Sequence, residues 1–244
     1  MRLPRRGLIV WTCLAAAIAI AIATGLDRRQ DSGLAPAGIT RLHAPSATGY
    51  FLGYLWRGDR HGPPVVFLHD SPGAALDWRP ALAATPAPWA ALALDRPGFG
   101  DSLPLQPAPS LPAQAAAVAA LLDHAAATGT PAILVGRGWG GDIALAAAAQ
   151  QPARVAGVII VPPQPGLARI GTLARKVLNW PPARWLLPRD WRHALAEQHG
   201  FNTGPADIAT SPVPMIRLQA RQDARSEAKA IWSAVAQLAK TPTR

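Results

Sequence analysis

Short continuous apolar runs alternate along this chain with longer segments that favour helices. The apolar runs are residues 64–68, 89–94, 132–135 and 155–161, and their length is typical of strands that are buried on both faces. Segments 77–84, 112–127 and 142–150 lie between them and contain strong helix formers. Strands that alternate with helices in this way predict an α/β fold with a mostly parallel sheet flanked by helices.

The two ends of this pattern differ from its middle. Residues 40–43 and 49–57 favour β-structure and are followed by the turn pair Gly58-Asp59, so we expect a hairpin at one edge of the sheet. After the last apolar run, residues 166–198 are rich in Trp, Pro, Leu and Arg, and residues 206–222 show no regular pattern. Residues 225–240 place apolar side chains on one face at helical spacing, which predicts a helix.

Glycines crowd the point where the run at 132–135 leads into the helix at 142–150. Backbone that reverses this sharply needs residues without a Cβ. Two kinds of site use such a turn. One is the nucleophile elbow G-x-S-x-G, whose middle residue attacks the substrate and corresponds here to Gly138. The other is the dinucleotide-binding pattern G-x-G-x-x-G, which Gly136, Gly138 and Gly141 satisfy.

Composition narrows the range of functions. A chain of 244 residues, 50% of them apolar, can bury the core of one domain, alone or with a small appendage. Its net charge of +10 comes mostly from arginines scattered singly, without the stripe or interleaved aromatic residues of a nucleic-acid surface, so we expect no nucleic-acid partner. Cys13 is the single cysteine and the histidines form no ligand pair, so no disulfide, metal site or cofactor is expected.

An uncharged segment lies close to the N-terminus. Residues 7–26 carry no charge, with arginines on both sides, and are long enough to span a bilayer. The excess of positive charge before the segment predicts a cytoplasmic N-terminus and an extracytoplasmic domain. A cleaved signal peptide is the competing interpretation, since Ala21-Ile22-Ala23 resembles an A-x-A cleavage site.

These patterns divide the chain into four parts. Residues 1–30 form a membrane anchor or signal segment and residues 31–48 a linker. Residues 49–165 form the α/β core. Residues 166–244 form a helical, cap-like segment.

Three motifs, taken in their order along the chain, resemble those of a known family. His69 and Gly73 lie in an H-x-x-P-G loop, DRPGFGDS begins at Asp95, and G-R-G-W-G-G begins at Gly136. Together they resemble the α/β hydrolases over about residues 40–165, and the last motif is similar to the branch that contains epoxide hydrolases, haloalkane dehalogenases and proline iminopeptidases. The resemblance favours the elbow over the dinucleotide pattern, because Trp139 is bulky where a pyrophosphate must approach and no acidic residue ends the next strand.

The resemblance assigns roles to residues around the elbow. Gly138 takes the nucleophile position, and the backbone N–H groups of Asp70 and Trp139 take the role of oxyanion donors. The glycines that shape the elbow and the neighbouring loop are Gly73, Gly136, Gly140 and Gly141. Glycine has no side-chain atom that could attack a substrate, so no intact catalytic residue is identified. Ser71 is the nearest hydroxyl, but a serine before proline is typical of a turn.

The other catalytic groups of the family have no counterpart in the sequence. The resemblance implies that the strand delivering the acid and the histidine loop follow the last helix, where the chain ends at Arg244. The sheet is therefore expected to stop after its sixth strand, which leaves 155–161 as an apolar edge that a partner strand would pair. His193 and His199 read as cap-packing or surface residues, and Asp123 and His124 as solvent-facing.

Three functions remain open at this stage. The first is a membrane-anchored, degenerate α/β hydrolase relative that binds a small apolar ligand or a partner. The second is an active hydrolase of small esters or epoxides that uses residues not identified. The third is a nonfunctional fragment of a hydrolase gene.

Overall fold

The computed structural model describes residues 38–46, 49, 51–103, 110–125, 129–163, 189–200, 211–221 and 223–241. The strands of these residues are β1 Thr40–Pro45, β2 Phe51–Gly58, β3 Pro64–Leu68, β4 Ala90–Leu94, β5 Ala132–Arg137, β6 Val155–Val161 and β7 Met215–Arg217. The helices are α1 Arg79–Ala83, α2 Leu111–Ala125, α3 Trp139–Gln150, α4 Arg189–Gly200 and α5 Ala224–Leu238. Short 3-10 turns at Ala75–Trp78 and Pro152–Arg154 precede α1 and β6.

The described strands form one sheet in the order β1-β2-β4-β3-β5-β6-β7. β2 pairs antiparallel with β1 and with β4, whereas the pairs from β4 to β7 are all parallel. The mostly parallel sheet flanked by helices is thus confirmed, and so is the hairpin at its edge.

Helices cover the sheet on both faces. Val66 and Leu68 of β3 pack into a cluster with α2 and α3, and Val65 and Phe67 of the same strand pack into a second cluster with α1 and α5. Alternate side chains of a strand point to opposite faces, so a strand covered on both sides must be apolar at every position. This explains why the central strands are continuous apolar runs.

The prediction that the sheet stops after its sixth strand is wrong. β7 pairs in parallel with β6 from Val158 to Ile160, and the Val158 amide donates to the Pro214 carbonyl at 2.9 Å. Residues 155–161 are therefore paired within the chain, which removes the reason to expect a partner strand there. β7 is hard to recognise from the sequence because it is three residues long and follows a proline.

The sheet also extends beyond the limits expected for the core. β1 lies within residues 31–48, which the sequence pattern assigned to a linker, and β7 with α5 lies within the segment assigned to a cap. In that segment, α4 is the described part that packs over the loops at the top of the sheet. Its buried residues include Leu195 and Glu197.

The expected membrane segment, residues 7–26, lies outside the described residues. Among the helices that the structure does describe, none has the length and apolar character needed to cross a bilayer.

Candidate active site

The three motifs of the sequence meet at one edge of the sheet. They follow β3, β4 and β5, whose carboxyl ends lie side by side because the strands are parallel neighbours. The loops are in direct contact: the Arg96 amide donates to His69 Nε2 at 3.1 Å. The crevice beyond the carboxyl ends of parallel strands is the usual place for a ligand in an open α/β sheet.

The elbow has the sharp geometry that its glycines predict. Gly138 has φ 50° and ψ −120°, a region that residues with a side chain rarely adopt. Its amide donates to the Val161 carbonyl at 3.4 Å, and its carbonyl accepts from the Gly141 amide at 2.8 Å. Gly140 is required for a second reason, because a Cβ there would overlap the Leu68 carbonyl at the end of β3.

The carboxylate of Asp70 occupies the space above Gly138. A Cβ built on Gly138 would overlap the carboxyl atoms of Asp70. Asp70 Oδ1 accepts from the Trp139 amide at 3.1 Å and from the Ser71 amide at 2.8 Å. The place that the family resemblance gives to a nucleophilic side chain is thus filled by a carboxylate from the neighbouring loop.

This arrangement changes the expected oxyanion site. The sequence singled out the backbone N–H groups of Asp70 and Trp139. In the structure, the Trp139 N–H points to the site but bonds the Asp70 side chain, and the Ser71 N–H is the second donor to the same oxygen. Sequence reasoning missed the Asp70 side chain. The signal that could have identified it is an acidic residue in the H-x-x-P-G loop of a chain whose elbow has glycine at its central position.

Asp142 lies one turn into α3, close enough to the Asp70 carboxylate for the two charges to interact. Burial raises the pKa of its carboxyl group above the usual 3.8, the negative charge of Asp70 raises the pKa further, and the positive charge of Arg217 partly opposes both effects. Asp142 therefore holds a proton more readily than an ordinary aspartate.

A buried ion pair joins the cap helix to these loops. Arg96 and Glu197 have side chains that are 1% and 2% exposed, and Arg96 Nη1 lies 2.8 Å from Glu197 Oε1. Arg96 also donates to the Asp70 carbonyl at 3.1 Å and to the Ser71 hydroxyl. Gln114 Nε2 donates to Glu197 at 2.8 Å. Arg96 thereby binds the carbonyl of the Asp70–Ser71 peptide and the Ser71 side chain, and it ties this loop to α4.

Ser71 and the nearby histidines have structural roles in this network. The Ser71 hydroxyl is buried and donates to Glu197, in agreement with its interpretation as a loop residue. Because His69 Nε2 accepts from the Arg96 amide, Nδ1 carries the proton that it shares with the Asp70 carbonyl at 2.7 Å. His193 Nδ1 lies 2.7 Å from the Gly98 carbonyl and its ring packs edge-on against Phe99. It is a cap-packing histidine, as expected.

Asp95 fixes the loop that contains Arg96. Its carboxylate accepts from the Ala75 amide at 2.7 Å and pairs with Arg41 of β1 at 2.7 Å. Burial raises the pKa of Asp95, and the Ala75 amide and Arg41 oppose that rise. Since these contacts satisfy the buried carboxylate, Asp95 is a structural residue of the motif.

The residue before the elbow is tied to the C-terminal helix. Arg137 is 3% exposed and forms an ion pair with Glu227 of α5, and its guanidinium carbon lies 4.3 Å from the centre of the Trp78 ring. The elbow is thus held on one side by Asp70 and on the other by α5. Asp123 and His124 face solvent on α2, as predicted. His199 has a side chain outside the described residues.

Metal chemistry has no support among the described side chains. No group of three or more His, Cys, Asp or Glu residues within that part of the chain could hold a metal ion.

Replacing Glu197 tests the buried pair. Glu197→Ala is expected to lower the free energy of unfolding by about 3–5 kcal/mol, because Arg96 stays buried without the carboxylate that balances its charge. Asp123→Ala is the matched control, since Asp123 pairs with Arg154 on the surface and should change stability by less than about 1 kcal/mol. Urea denaturation measures both. Equal losses of stability in the two variants would contradict the assignment of Arg96 and Glu197 as a buried ion pair.

A double-mutant cycle tests the contact between Asp70 and Gly138. Gly138→Ser is expected to cost about 1–3 kcal/mol for backbone strain, and more because its Cβ meets the Asp70 carboxylate. In an Asp70→Gly background the loss should be smaller, with a coupling of about 0.5–3 kcal/mol. The control cycle pairs Gly138→Ser with Asp123→Ala, which should be additive. Additivity in the Asp70 cycle as well would show that the two residues do not touch.

Comparisons with known proteins agree with this architecture. A sequence profile of the alpha/beta hydrolase family matches residues 65–243, whereas a comparison with curated protein sequences gives no match. The haloalkane dehalogenase DatA from Agrobacterium tumefaciens C58 is similar in structure at TM-score 0.58 and 18% identity, over 82% of this chain and 86% of that one. This likeness shows a shared fold.

Epoxide hydrolases are also similar over a shorter stretch. Potato (Solanum tuberosum) epoxide hydrolase I matches at TM-score 0.46 and 24% identity, over 50% of this chain and 39% of that one. Epoxide hydrolase A from Mycobacterium thermoresistibile matches at TM-score 0.44 and 29% identity, over 50% and 39%. The match spans about two fifths of these two enzymes. Since the family profile covers most of the sequence and the fold agrees with it, the chain belongs to the alpha/beta hydrolase family.

Proposed function

We propose that this chain is a membrane-anchored member of the alpha/beta hydrolase family that has lost catalytic turnover at the elbow and serves to bind a small apolar ligand or a partner. The observation that carries this proposal is the Asp70 carboxylate above Gly138. It occupies the space of the missing nucleophile and takes the hydrogen bond of the Trp139 amide. A substrate carbonyl would have to displace it to reach that donor.

The requirements of acyl transfer support this proposal. Such a reaction needs a nucleophile, a base that activates it, and donors for the developing oxyanion. Gly138 supplies no nucleophilic atom. His69 and His193 contact these loops, but His69 uses both ring nitrogens on backbone groups and His193 bonds a carbonyl. Neither histidine is placed to activate an attacking group.

One observation favours a second candidate, a hydrolase that acts on small epoxides or esters. A carboxylate lies at the elbow with one oxygen held by two backbone amides, and carboxylates serve as nucleophiles in some covalent mechanisms. This candidate differs from the first in requiring turnover, so a steady-state assay separates the two.

The assay uses p-nitrophenyl acetate and styrene oxide. We expect the purified chain to hydrolyse both no faster than buffer, and Gly138→Ser alone to give no activity, because restoring one member of a catalytic group recovers little when the others are absent. Asp70→Asn serves as the matched variant that reveals any residual rate due to the carboxylate. Release of p-nitrophenol above the buffer rate that continues beyond one equivalent of protein would sink the proposal.

Membrane anchoring rests on the uncharged segment 7–26 and has its own test. After fractionation of cells, the intact chain should stay with the membrane through carbonate extraction, because about 20 apolar residues suffice to span the bilayer. A variant with two arginines placed at Leu14 and Ile18 should lose this resistance. A soluble product that begins at Thr24 would show a cleaved signal peptide instead.

A further inference from the structure

We infer that the outer side of β7, together with the groove between β7 and α5, binds an extended acidic segment of a partner protein, which adds to the sheet as a further strand. The inference deepens the proposed function by naming the chemistry of the partner, and it rests on that function only for its binding role. It holds whether or not the elbow has lost turnover.

β7 forms one edge of the sheet that the structure describes. One side of it pairs with β6, and no second described strand pairs with its other side. The Pro214 carbonyl accepts from β6 and the Leu218 amide donates to β6, both at 2.9 Å. Since backbone groups alternate between the two sides of a strand, those of Met215 and Arg217 face the outer side. They are donors and acceptors in the positions that another strand requires.

A groove of about 450 Å³ lies beside this outer side, between β7 and the exposed surface of α5. Ile216 and Leu218 of β7 form its apolar wall and pack into the same cluster as α5. Lys229 and Ser233 line the wall formed by α5 and are exposed. Because side chains alternate between the two faces of a sheet, every second side chain of an added strand lies at this groove.

The groove is positively charged. Arg221 and Lys229 line it, and none of its described lining residues is acidic. The two acidic residues between β7 and the end of α5 are engaged elsewhere, because Asp223 caps the start of α5 and Glu227 pairs with Arg137. Charge complementarity across an interface favours one class of partner over others. The groove therefore favours an acidic segment.

Arg217 on β7 disfavours the pairing of two copies of this chain. It is exposed, and a second copy paired through the same edge would bring two Arg217 side chains close together. Like charges across a pair of strands are destabilising, and charged side chains on edge strands commonly prevent self-association. Asp142 of α3 balances part of the charge of Arg217, so Arg221 and Lys229 supply most of the attraction for an acidic strand.

The experiment measures binding of short labelled peptides to the full-length chain, purified in non-ionic detergent, by fluorescence anisotropy. The acidic probe alternates Glu and Val over about eight residues, the length of an ordinary strand, and the basic probe alternates Lys and Val. The acidic probe should bind at least about tenfold more tightly, because its charge complements the groove. Equal affinities for the two probes would overturn the inference.

Backbone methylation tests whether the acidic probe binds as a strand. Methyl groups on the amide nitrogens of alternate residues remove the donors along one side of an extended peptide and keep its charge. One version carries them on the Glu residues and the other on the Val residues. At least one version should bind more than about tenfold more weakly, because a ladder needs those donors. Full affinity in both versions means that the groove attracts charge alone, which contradicts the inference.

Arg221→Glu combined with Lys229→Glu tests the charge of the groove. These changes should weaken binding of the acidic probe by about tenfold or more and strengthen binding of the basic probe, since they reverse the sign of the groove. Arg60→Glu combined with Lys240→Glu is the matched control, which changes the net charge equally at two exposed positions outside the groove. If the control changes binding as much, net charge causes the effect and the assignment of the groove is wrong.

Arg217→Pro tests the backbone of β7. Proline removes the amide donor on the outer side and leaves the bonds to β6 in place, and edge strands accept proline at such positions. Arg217→Gln is the control, because it removes the same charge and keeps the donor. The acidic probe should bind Arg217→Pro several-fold more weakly than Arg217→Gln, and equal affinities would count against pairing through β7. Circular dichroism checks that both variants fold, and the methylated probes test the same bonds if Arg217→Pro does not.

The outcomes separate the inference from the proposed function. A dimer of the chain alone, seen by light scattering and absent in Arg217→Pro, would place a second copy at the edge and refute the acidic partner. No binding of the acidic probe refutes the inference and leaves the loss of turnover standing, because that claim rests on Gly138 and Asp70. Turnover of styrene oxide together with binding of the acidic probe refutes the loss of turnover and supports the inference.

Discussion

The hydrogen bond from the Trp139 amide to the Asp70 carboxylate is the interaction on which the site depends. It is formed because two loops at adjacent strand ends approach closely, and because Gly138 leaves room between them. A side chain at position 138 and a carboxylate at position 70 exclude each other sterically. The elbow therefore keeps its backbone geometry and its donor, while the carboxylate beside it comes from the loop after β3.

The buried charges show how the rest of the fold holds this arrangement. Arg96 and Glu197 join the Asp70 loop to the cap helix α4, and Arg137 and Glu227 join the elbow to α5. Taking such charges out of water is costly unless each has a close partner, so these pairs favour one relative position of loop, cap helix and C-terminal helix. The C-terminal segment is thereby an integral part of the site's surroundings.

Much of the fold could be predicted from the sequence, and the failures have physical causes. Residues 155–161 are apolar at every position because both faces are covered, so the strand was evident. β7 was not evident from the sequence, because three residues show no periodicity and pairing with β6 decides their conformation. Glu197 lies on a helix with few apolar residues, which gave no sign of burial. Gly138 lies at the turn between β5 and α3, but the reach of Asp70 to that turn depends on the contact between two loops distant in sequence.

The most direct test of the central claim is an NMR titration of backbone amides. When acid protonates the Asp70 carboxylate, the amide proton resonances of Ser71 and Trp139 should move upfield together, because both lose a charged acceptor. Both movements should vanish in Asp70→Asn. If the Trp139 amide does not respond while the Ser71 amide does, the carboxylate is not bound at the elbow and the account is wrong.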